Sequence, residues 1–368
     1  MSHPELLDFP HHIQRLRPYA PGTPLADVAG AIGKQEHELA QLASNENPLG
    51  PSPRALQALR DTPINLALYP DNDCHALLSA LSSALNVPRD WIIPGAGSEN
   101  VLSIAAATLL DPQRTAVFAQ YSFQAFAAAV HRVGGQCVVV PSPDFHVNPQ
   151  ALVAAITPAT RIVYVANPGN PTGTCLTPGQ VLALVEAVPR PVLIILDEAY
   201  REYLTPEEAG DSLAWVRRYP NLLVTRTFSK AYGLAGLRVG YGVAQPHITE
   251  MLQRVRPMYG ITQLAQVAAV AALHDHDFLR ETVRVNAEGL AQLAAGFDTL
   301  GLRYVPSRAN FMLVEVGNGA DVAKRLETYG LLVRPVNSYG LPGWLRISVG
   351  LPETNQQLLA ALKKELAR

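Results

Sequence analysis

The sequence predicts an α/β protein with a mainly parallel central sheet and a second, smaller α+β domain. Two observations support this fold class. Residues 90–245 alternate short, continuous apolar runs with helix-like stretches, a pattern typical of parallel strands that are covered by helices on both faces. The last hundred residues instead mix short apolar runs with longer helical patterns. A chain of 368 residues also has the length of two domains, at roughly 100 to 200 residues per domain.

Three runs rich in Val, Ile and Leu predict the central buried strands, and each run ends in polar residues. These runs cover residues 161–168, 191–200 and 222–230. Residues 177–188 predict a helix between the first two, with Thr177 as its cap and Pro178 in its first turn. Ligands of open α/β sheets bind at the carboxyl ends of the strands, so the polar residues there are candidate site residues.

The chain after residue 262 predicts the smaller domain. An Ala-rich helix and a charged helix, at 263–273 and 275–296, lead into short apolar runs and a further helix at 321–329. The Pro-rich first forty residues predict an arm that packs on this domain or on a partner. The predicted division is, in chain order, 1–42 for the arm and part of the small domain, 43–262 for the large domain, and 263–368 for the small C-terminal domain.

Charge and composition exclude several classes of protein. Lys plus Arg number 29 against 31 Asp plus Glu, so we expect no nucleic-acid or anionic-membrane partner. No 18 successive residues are apolar, which argues against a membrane span. The three cysteines are far apart and fit a reducing, cytoplasmic compartment. No metal site is predicted, because the His and Asp residues near positions 11 and 275 lack a third ligand at a useful spacing.

Four polar residues follow the predicted strands: Asn170, Asp197, Tyr200 and Lys230. Asp197 ends an apolar run, and an acid there is costly to bury without a cationic partner. Taken alone, Asp197 is better explained by a helix cap or an internal salt bridge. The combination with a lysine after the next strand favours a functional site.

Residues 95–110, GAGSENVLSIAAATLL, predict a helix that follows two glycines, with Ser98 at its N-cap. The unpaired N–H groups and the dipole of such a terminus attract phosphate. The segment matches neither G-x-G-x-x-G nor the P-loop spacing, so an ordinary capped helix remains the alternative for this segment alone.

Together, a lysine, a buried acid and a phosphate site predict pyridoxal 5′-phosphate (PLP) as the cofactor. Lys230 would bind it covalently, and burial together with nearby Arg238 would favour the uncharged amine. Asp197 would keep the pyridine nitrogen protonated, so that the ring accepts electrons. Asn170 and Tyr200 would bond the ring oxygen. The phosphate ligands that we predict are Ser98, Thr227, Ser229 and Arg238.

Several longer segments carry a family resemblance, above all SNENPLGPSP near residue 48 and SKAYGLAGLR from residue 229. With NPGNPTG, DEAY and VRPVNSYGLPGWLRISVG, they resemble the fold-type I PLP-dependent aminotransferases, and within these the histidinol-phosphate aminotransferase family. The resemblance covers residues 16–362, nearly the whole chain. It implies a fold-type I transferase with a large PLP-binding domain.

The resemblance also implies residue roles. Lys230 carries the cofactor, and Tyr121 stacks on its ring. Tyr69 reaches from one subunit to the phosphate bound by the other, which implies a homodimer with shared active sites. The segment equivalent to the phosphate loop consists of Ala96, Gly97, Ser98 and Glu99.

For the substrate, the resemblance assigns Arg346 to the α-carboxylate, because a planar guanidinium matches a carboxylate in a way that lysine does not. A pairing with a surface acid is the alternative. Arg334 is similar to a second family arginine near the substrate phosphate or distal carboxylate. Tyr19, Asn47 and Tyr259 are assigned to the same pocket, where a core or rim position is the alternative for each tyrosine.

The implied activity is transamination between histidinol phosphate and 2-oxoglutarate, in histidine biosynthesis, with a small amino donor and a 2-oxo acid as partners. Two segments depart from the common family pattern: GAGSEN at residues 95–100 and RPMYGIT at 256–262. Both are expected near the substrate. They leave open an aromatic or other amino-acid aminotransferase. A threonine-phosphate-decarboxylase-like enzyme, which shares much of the same framework, is a separate alternative.

Overall fold

The structure is a computed structural model that describes residues 7–16, 18 and 23–367. Tyr19, a predicted substrate residue, lies outside the described residues. The helices are α1 (His11–Gln14), α2 (Leu25–Ile32), α3 (Pro53–Asp61), α4 (His75–Leu85), α5 (Ser98–Leu109), α6 (Gln124–Arg132), α7 (Pro149–Ala154), α8 (Pro178–Ala187), α9 (Pro206–Ala209), α10 (Ser212–Arg218), α11 (Pro246–Val255), α12 (Gln263–Leu273), α13 (His276–Thr299), α14 (Gly319–Glu327) and α15 (Pro352–Leu366). The strands are β1 (Ala40–Leu42), β2 (Ile92–Gly95), β3 (Thr115–Ala119), β4 (Gln136–Val140), β5 (Thr160–Ala166), β6 (Leu193–Asp197), β7 (Leu222–Thr227), β8 (Gly240–Val243), β9 (Tyr304–Val305), β10 (Phe311–Glu315), β11 (Leu331–Val336) and β12 (Leu341–Ser348).

The larger sheet has seven strands in the order β2-β8-β7-β6-β5-β3-β4. The pairs from β7 through β4 are parallel, and only β8 runs against its two neighbours. Every residue of β3, β6 and β7 is buried, as expected for strands that are covered by helices on both faces. The predicted α/β fold class with a mainly parallel sheet is confirmed.

The three predicted strands form, but each ends earlier than its apolar pattern suggested. Strands β5, β6 and β7 end at Ala166, Asp197 and Thr227. The polar residues that follow therefore lie in loops at the carboxyl edge of the sheet. Helix α8 is capped as predicted, because the Thr177 hydroxyl accepts a hydrogen bond from the Gln180 N–H.

The N-cap of helix α5 lies one residue earlier than predicted. Its N-cap is Gly97, with φ 81° and ψ 164°, and Ser98 is its first helical residue. The left-handed φ favours glycine over serine at the cap. The helix start also lies tightly against β8, because a Cβ at Gly240 would lie 2.5 Å from the Ser98 nitrogen.

The smaller sheet has five strands in the order β1-β11-β12-β10-β9. Strand β1 pairs in parallel with β11, whereas the other pairs are antiparallel. Helices α13, α14 and α15 bury apolar side chains in one core with this sheet, among them Phe297, Leu326 and Leu358. Residues 40–42 therefore join a sheet whose other strands lie near the C-terminus.

The division into domains stays a prediction at its boundaries. Four alanines of helix α12, among them Ala265 and Ala269, belong to the same hydrophobic core as the larger sheet. We therefore propose that the division falls after this helix rather than at residue 263. Within the described ranges, no helix has both the length and the apolar character needed to span a bilayer.

Candidate active site

The loops after β5, β6 and β7 bring the predicted site residues together. The three strands are parallel neighbours, and Asp197 lies opposite both Ala166 of β5 and Thr225 of β7. Their carboxyl ends consequently meet at one edge of the sheet. There the Asn170 amide nitrogen donates a hydrogen bond to the Tyr200 hydroxyl at 3.3 Å.

Asp197 is a buried carboxylate that is held by neutral donors. Its Oδ2 accepts a hydrogen bond from the Tyr164 hydroxyl at 2.9 Å, and its Oδ1 accepts one from the Thr225 hydroxyl at 3.0 Å. Burial raises the pKa of Asp197 to about 6, although these two hydrogen bonds act to lower it. Among the described lysines and arginines, none forms an ion pair with Asp197; the arginine ion pairs nearby go to Glu198. The site thus keeps a buried acid suited to a cationic ligand group.

Lys230 is an amine whose pKa the site lowers. Its Nζ donates a hydrogen bond to the Ser44 carbonyl oxygen at 2.9 Å. Burial lowers the pKa of Lys230 to about 7, helped by the positive charges of Arg346 and Arg238 and opposed by Glu46. A substantial uncharged fraction at neutral pH is what a nucleophilic amine requires.

Two arginines lie opposite each other on the smaller sheet. Arg346 of β12 donates hydrogen bonds to the Asn170 Oδ1 at 2.7 Å and to the Ala43 carbonyl oxygen at 2.6 Å. Arg334 of β11 is its direct partner in the antiparallel register. Side chains at opposite positions share one face of the sheet, so two cationic side chains belong to the face that meets Asn170.

A cluster of donors surrounds the start of α5. The Thr227 hydroxyl bonds the Ser229 hydroxyl at 2.9 Å, which also accepts from Arg238 Nη1 at 3.3 Å. A Cβ at Gly97 would lie 2.6 Å from Arg238 Nη2, so only glycine lets the guanidinium reach the helix start. Hydroxyls, a guanidinium and the Ser98 N–H at a helix N-terminus together form a site suited to a phosphate group.

These residues fit PLP. The helix start with Arg238 suits its phosphate, the buried acid Asp197 suits its pyridine nitrogen, and Lys230, with its lowered pKa, suits its aldehyde. Tyr200 and Asn170, which are hydrogen-bonded to each other, have polar hydrogens that suit its ring oxygen. The buried carboxylate without a cationic partner is the most specific element of the fit, because the protonated pyridine nitrogen supplies that charge.

Three further residues that were predicted to bind the cofactor, Ala96, Glu99 and Tyr121, lie in or near the loops that precede α5 and α6. Ala96 donates its N–H to the Asn100 side chain at 3.2 Å, and Glu99 lies half-buried in the first turn of α5. Tyr121 packs against Phe145 with ring centres 5.4 Å apart. The roles of these residues toward the cofactor stay predictions.

Tyr69 and Tyr259 lie on the surface rather than in the cluster around Lys230. Tyr69 is 82% exposed and Tyr259 is 44% exposed, and their rings stack with centroids 4.5 Å apart. Their predicted roles at the phosphate and substrate are untested by this geometry.

Asn47 uses its side chain to hold the loop that contains it. Its amide nitrogen donates to the Ala231 carbonyl oxygen at 3.0 Å and to the Thr282 hydroxyl at 3.1 Å. Its Oδ1 accepts from the Leu49 N–H at 3.0 Å. This network anchors the loop next to Lys230, and contact of Asn47 with a substrate stays a prediction.

Sequence reasoning missed Tyr164, Thr225 and Asn45. The first two hold Asp197, and Asn45 donates to the Tyr200 hydroxyl at 2.9 Å. A tyrosine within an apolar run that predicts a buried strand was a usable signal, because a buried phenol needs a hydrogen-bond partner. Thr225 becomes visible only when the register of β6 and β7 is known.

Residues 37–362 match the family model described as aminotransferase class I and II. The chain belongs to this family. The chain also resembles curated relatives over nearly its whole length. The match to the family model and these relatives together confirm the predicted family resemblance and the predicted aminotransferase activity.

Two such relatives are called histidinol-phosphate aminotransferases. One, from Ralstonia nicotianae, is 50% identical over 98% of this chain and 97% of the relative. Another, from Cupriavidus pinatubonensis, is 45% identical over 97% of this chain and 96% of the relative. A solved structure of the histidinol-phosphate aminotransferase from Sinorhizobium meliloti, in complex with PLP, has a TM-score of 0.87 and 28% identity, covering 100% of this chain and 99% of the other.

Proposed function

We propose that this aminotransferase uses PLP to transfer the amino group of histidinol phosphate to 2-oxoglutarate, in histidine biosynthesis. One observation carries the proposal: Arg334 and Arg346 lie opposite each other in the register of β11 and β12, and Arg346 donates a hydrogen bond to Asn170. Histidinol phosphate brings a phosphate, and glutamate brings two carboxylates. Paired arginines suit both substrates, because the planar guanidinium group can donate two parallel hydrogen bonds either to a phosphate or to a carboxylate.

The chain's residues have distinct tasks in this reaction. When bound, PLP supplies an electron-accepting ring for the breaking of the Cα–H bond of the amino donor. Lys230 Nζ, which is largely uncharged above pH 7, would act as the base that accepts the proton from the donor Cα and as the acid that returns it. Asp197 would pair with the pyridine nitrogen of the bound cofactor and favour its protonated form. Arg346 orients the donor so that its Cα–H bond lies near Lys230.

A comparison of amino donors tests this proposal. Purified protein loaded with PLP is mixed with histidinol phosphate, glutamate, phenylalanine or tyrosine, and the loss of the lysine-bound cofactor absorbance is followed. We expect conversion with histidinol phosphate and glutamate, and the highest kcat/KM with histidinol phosphate. Faster conversion of phenylalanine or tyrosine would support an aromatic aminotransferase, and release of CO₂ without need for 2-oxoglutarate would support a decarboxylase.

Replacing Arg334 with Gln is expected to lower kcat/KM for histidinol phosphate by roughly 10- to 100-fold, because a charged hydrogen bond contributes about 1.5 to 3 kcal/mol. The PLP affinity is expected to stay unchanged, because Arg334 belongs to the smaller sheet and is not one of the donors around α5. Steady-state kinetics and PLP titration measure the two quantities. Equal kcat/KM for wild type and variant would remove Arg334 from the substrate site.

We also propose a cytoplasmic homodimer in which Tyr69 reaches the partner's phosphate site. An apolar surface supports this proposal. Two segments of the chain contribute large, exposed hydrophobic side chains to it: Leu66, Leu68, Tyr69, Met258 and Tyr259. A hydrogen bond of 2.8 Å from the Tyr259 N–H to the Asn72 side chain joins the two segments. Contiguous exposed apolar surface is typical of protein interfaces.

The double substitution Leu68→Asp and Met258→Asp is expected to convert the dimer into a monomer and to weaken PLP binding, because two charges enter the apolar surface. Size-exclusion chromatography with light scattering measures the mass, and absorbance titration measures PLP affinity. Val139→Asp serves as the matched control, since Val139 is an exposed apolar residue on the sheet-edge strand β4. A monomeric wild-type protein would contradict the shared site.

A further inference from the structure

Asn45 is a buried residue that links the two sheets at the site. It adopts a left-handed conformation with φ 55° and follows β1 in the loop that leads to α3. Its backbone N–H donates to the Ser348 hydroxyl at 2.9 Å, and its carbonyl oxygen accepts from the Asn310 amide at 3.0 Å. Its side-chain amide nitrogen donates to the Tyr200 hydroxyl at 2.9 Å. The end of β12 thus holds Asn45 against Tyr200.

The surroundings fix which end of each amide faces Tyr200. Arg346 can only donate, so the Asn170 Oδ1 must face Arg346 and the Asn170 nitrogen faces the phenol. The Ser348 hydroxyl accepts from the Asn45 N–H, and its own hydrogen is directed to the Asn45 Oδ1 at 3.3 Å. The nitrogen of Asn45 is therefore also the end that faces Tyr200.

Two amides consequently donate to one phenol oxygen. A tyrosine hydroxyl has two acceptor lone pairs and one hydrogen. With both lone pairs engaged by Asn45 and Asn170, the hydrogen of Tyr200 must be directed to a third group. The phenol also stays protonated at neutral pH, because burial raises its pKa to about 12. The positive charge of Arg346 and the bond from Asn45 act against this rise, and Asp197 and Tyr339 add to it.

We propose that Asn45 is a positioning residue that commits Tyr200 to donate its hydrogen to the ring oxygen of the cofactor. This inference rests on the proposed function, since it places the PLP ring oxygen next to Tyr200. Asn45 acts only through Tyr200. Donation to the ring oxygen withdraws electrons from the cofactor, so it lowers the pKa of the nitrogen that joins the cofactor to Lys230. The same network links Tyr200 to β12, the strand that carries Arg346.

The test is a substitution that reverses the direction of one hydrogen bond. In Asn45→Asp the carboxylate only accepts, so Tyr200 donates to it instead of to the cofactor. The pH midpoint of the bound-cofactor absorbance is expected to rise by about one pH unit, because a hydrogen bond that involves a charged group contributes about 1.5 kcal/mol or more. Tyr200→Phe is expected to raise the same midpoint.

A double substitution separates this route from the added charge of the carboxylate. If Asn45 acts through Tyr200, then Asn45→Asp shifts the midpoint less than half as much in the Tyr200→Phe background as in wild type. Equal shifts in both backgrounds would overturn the proposal, because a charge acts through space whether or not the phenol is present. Asn47→Asp is the matched control for a charge in the same loop, and its shift is expected to be independent of Tyr200→Phe.

Ser348→Ala tests the same network without adding a charge. It removes the hydroxyl that orients the Asn45 amide, and we expect a smaller rise of the midpoint together with weaker binding of PLP to the apoprotein. An unchanged midpoint and an unchanged dissociation constant would overturn the role of Asn45. Wild-type protein that binds no PLP would refute the proposed function itself, whereas a wild-type protein that titrates alongside unshifted variants would refute only the role of Asn45.

Discussion

Replacing Lys230 with alanine is expected to lower kcat by more than about 10⁴-fold, the upper range for loss of general acid–base catalysis, because the covalent link to the cofactor is lost as well. The absorbance of the lysine-bound cofactor is expected to disappear. The geometry behind this expectation is an amine held by the Ser44 carbonyl oxygen, near Arg346 and Arg238, whose positive charges add to burial in lowering its pKa to about 7. Single-turnover kinetics and absorbance spectra measure the two effects.

The stability of the apoprotein provides a second measurement for the same substitution. The folded pKa of Lys230, about 7, lies below its ordinary value of 10.5. Between these pH values the unfolded chain binds more protons than the folded state, so wild-type stability rises with pH across this window. Below pH 7 the folded state holds the charged form of Lys230, which is unfavourable there. Lys230→Ala removes that charge. We therefore expect the stability of the variant relative to wild type to be highest below pH 7 and to fall as the pH approaches 10.5.

Lys324→Ala is the control for Lys230→Ala. Lys324 lies on α14, where its exposed side chain pairs with Glu327, and its loss is expected to leave kcat and the cofactor spectrum unchanged. Turnover by Lys230→Ala at a rate near that of wild type, or a retained spectrum of lysine-bound cofactor, would remove Lys230 from its role.

The residues at the ends of the strands were predictable from sequence because the apolar pattern stops there. Asp197 and Lys230 each follow a continuous buried run, and parallel strands bring such ends together. Their partners were not predictable in the same way. Tyr164 reaches Asp197 from the neighbouring strand, and Asn45 reaches Tyr200 across 155 positions of sequence. Strand order and register determine these contacts, and local patterning does not reveal them.

The positions of helix ends and domain boundaries were less predictable for physical reasons. Ser98 resembles a cap in sequence, but the close approach of α5 to β8 and the left-handed φ of Gly97 place the cap one residue earlier. Helix α12 is mostly alanine and leucine, so its composition does not show which core it joins. Its packing with the larger sheet follows only from the tertiary structure.

Replacing Asp197 with asparagine is expected to lower kcat by roughly 10²- to 10³-fold, the size of effect seen when one preorganised electrostatic partner is removed. The neutral amide no longer keeps the pyridine nitrogen protonated. The apoprotein is expected to become more stable. The pKa of Asp197 is raised from 3.8 to about 6, so between these pH values the folded state binds more protons than the unfolded chain. Wild-type stability therefore falls as the pH rises through this window, and the destabilisation by the buried charge persists above pH 6.

The size of this gain follows from the same shift. A rise of about two pH units corresponds to about 3 kcal/mol at most. Asparagine removes the buried charge and still bonds the Tyr164 and Thr225 hydroxyls, which can accept as well as donate. We therefore expect a higher Tm for the variant apoprotein at pH 8, little difference at pH 4, and a smaller rise in Tm on addition of PLP than in wild type. Differential scanning calorimetry of both forms measures these quantities.

Asp275→Asn is the matched contrast, because Asp275 is a buried aspartate whose pKa is shifted in the opposite direction. Burial acts to raise that pKa, but the hydrogen bonds from the Ser52 hydroxyl and the Arg54 N–H lower it overall. Its charged form therefore stabilises the fold above the ordinary pKa and loses that contribution as the pH falls, so Asp275→Asn is expected to lower the Tm at pH 8. If both substitutions lower the Tm and Asp197→Asn keeps its activity, then Asp197 is an ordinary structural carboxylate. If instead Asp197→Asn raises the Tm and loses activity, while Asp275→Asn lowers the Tm and stays active, then Asp197 is the carboxylate that pairs with the cofactor.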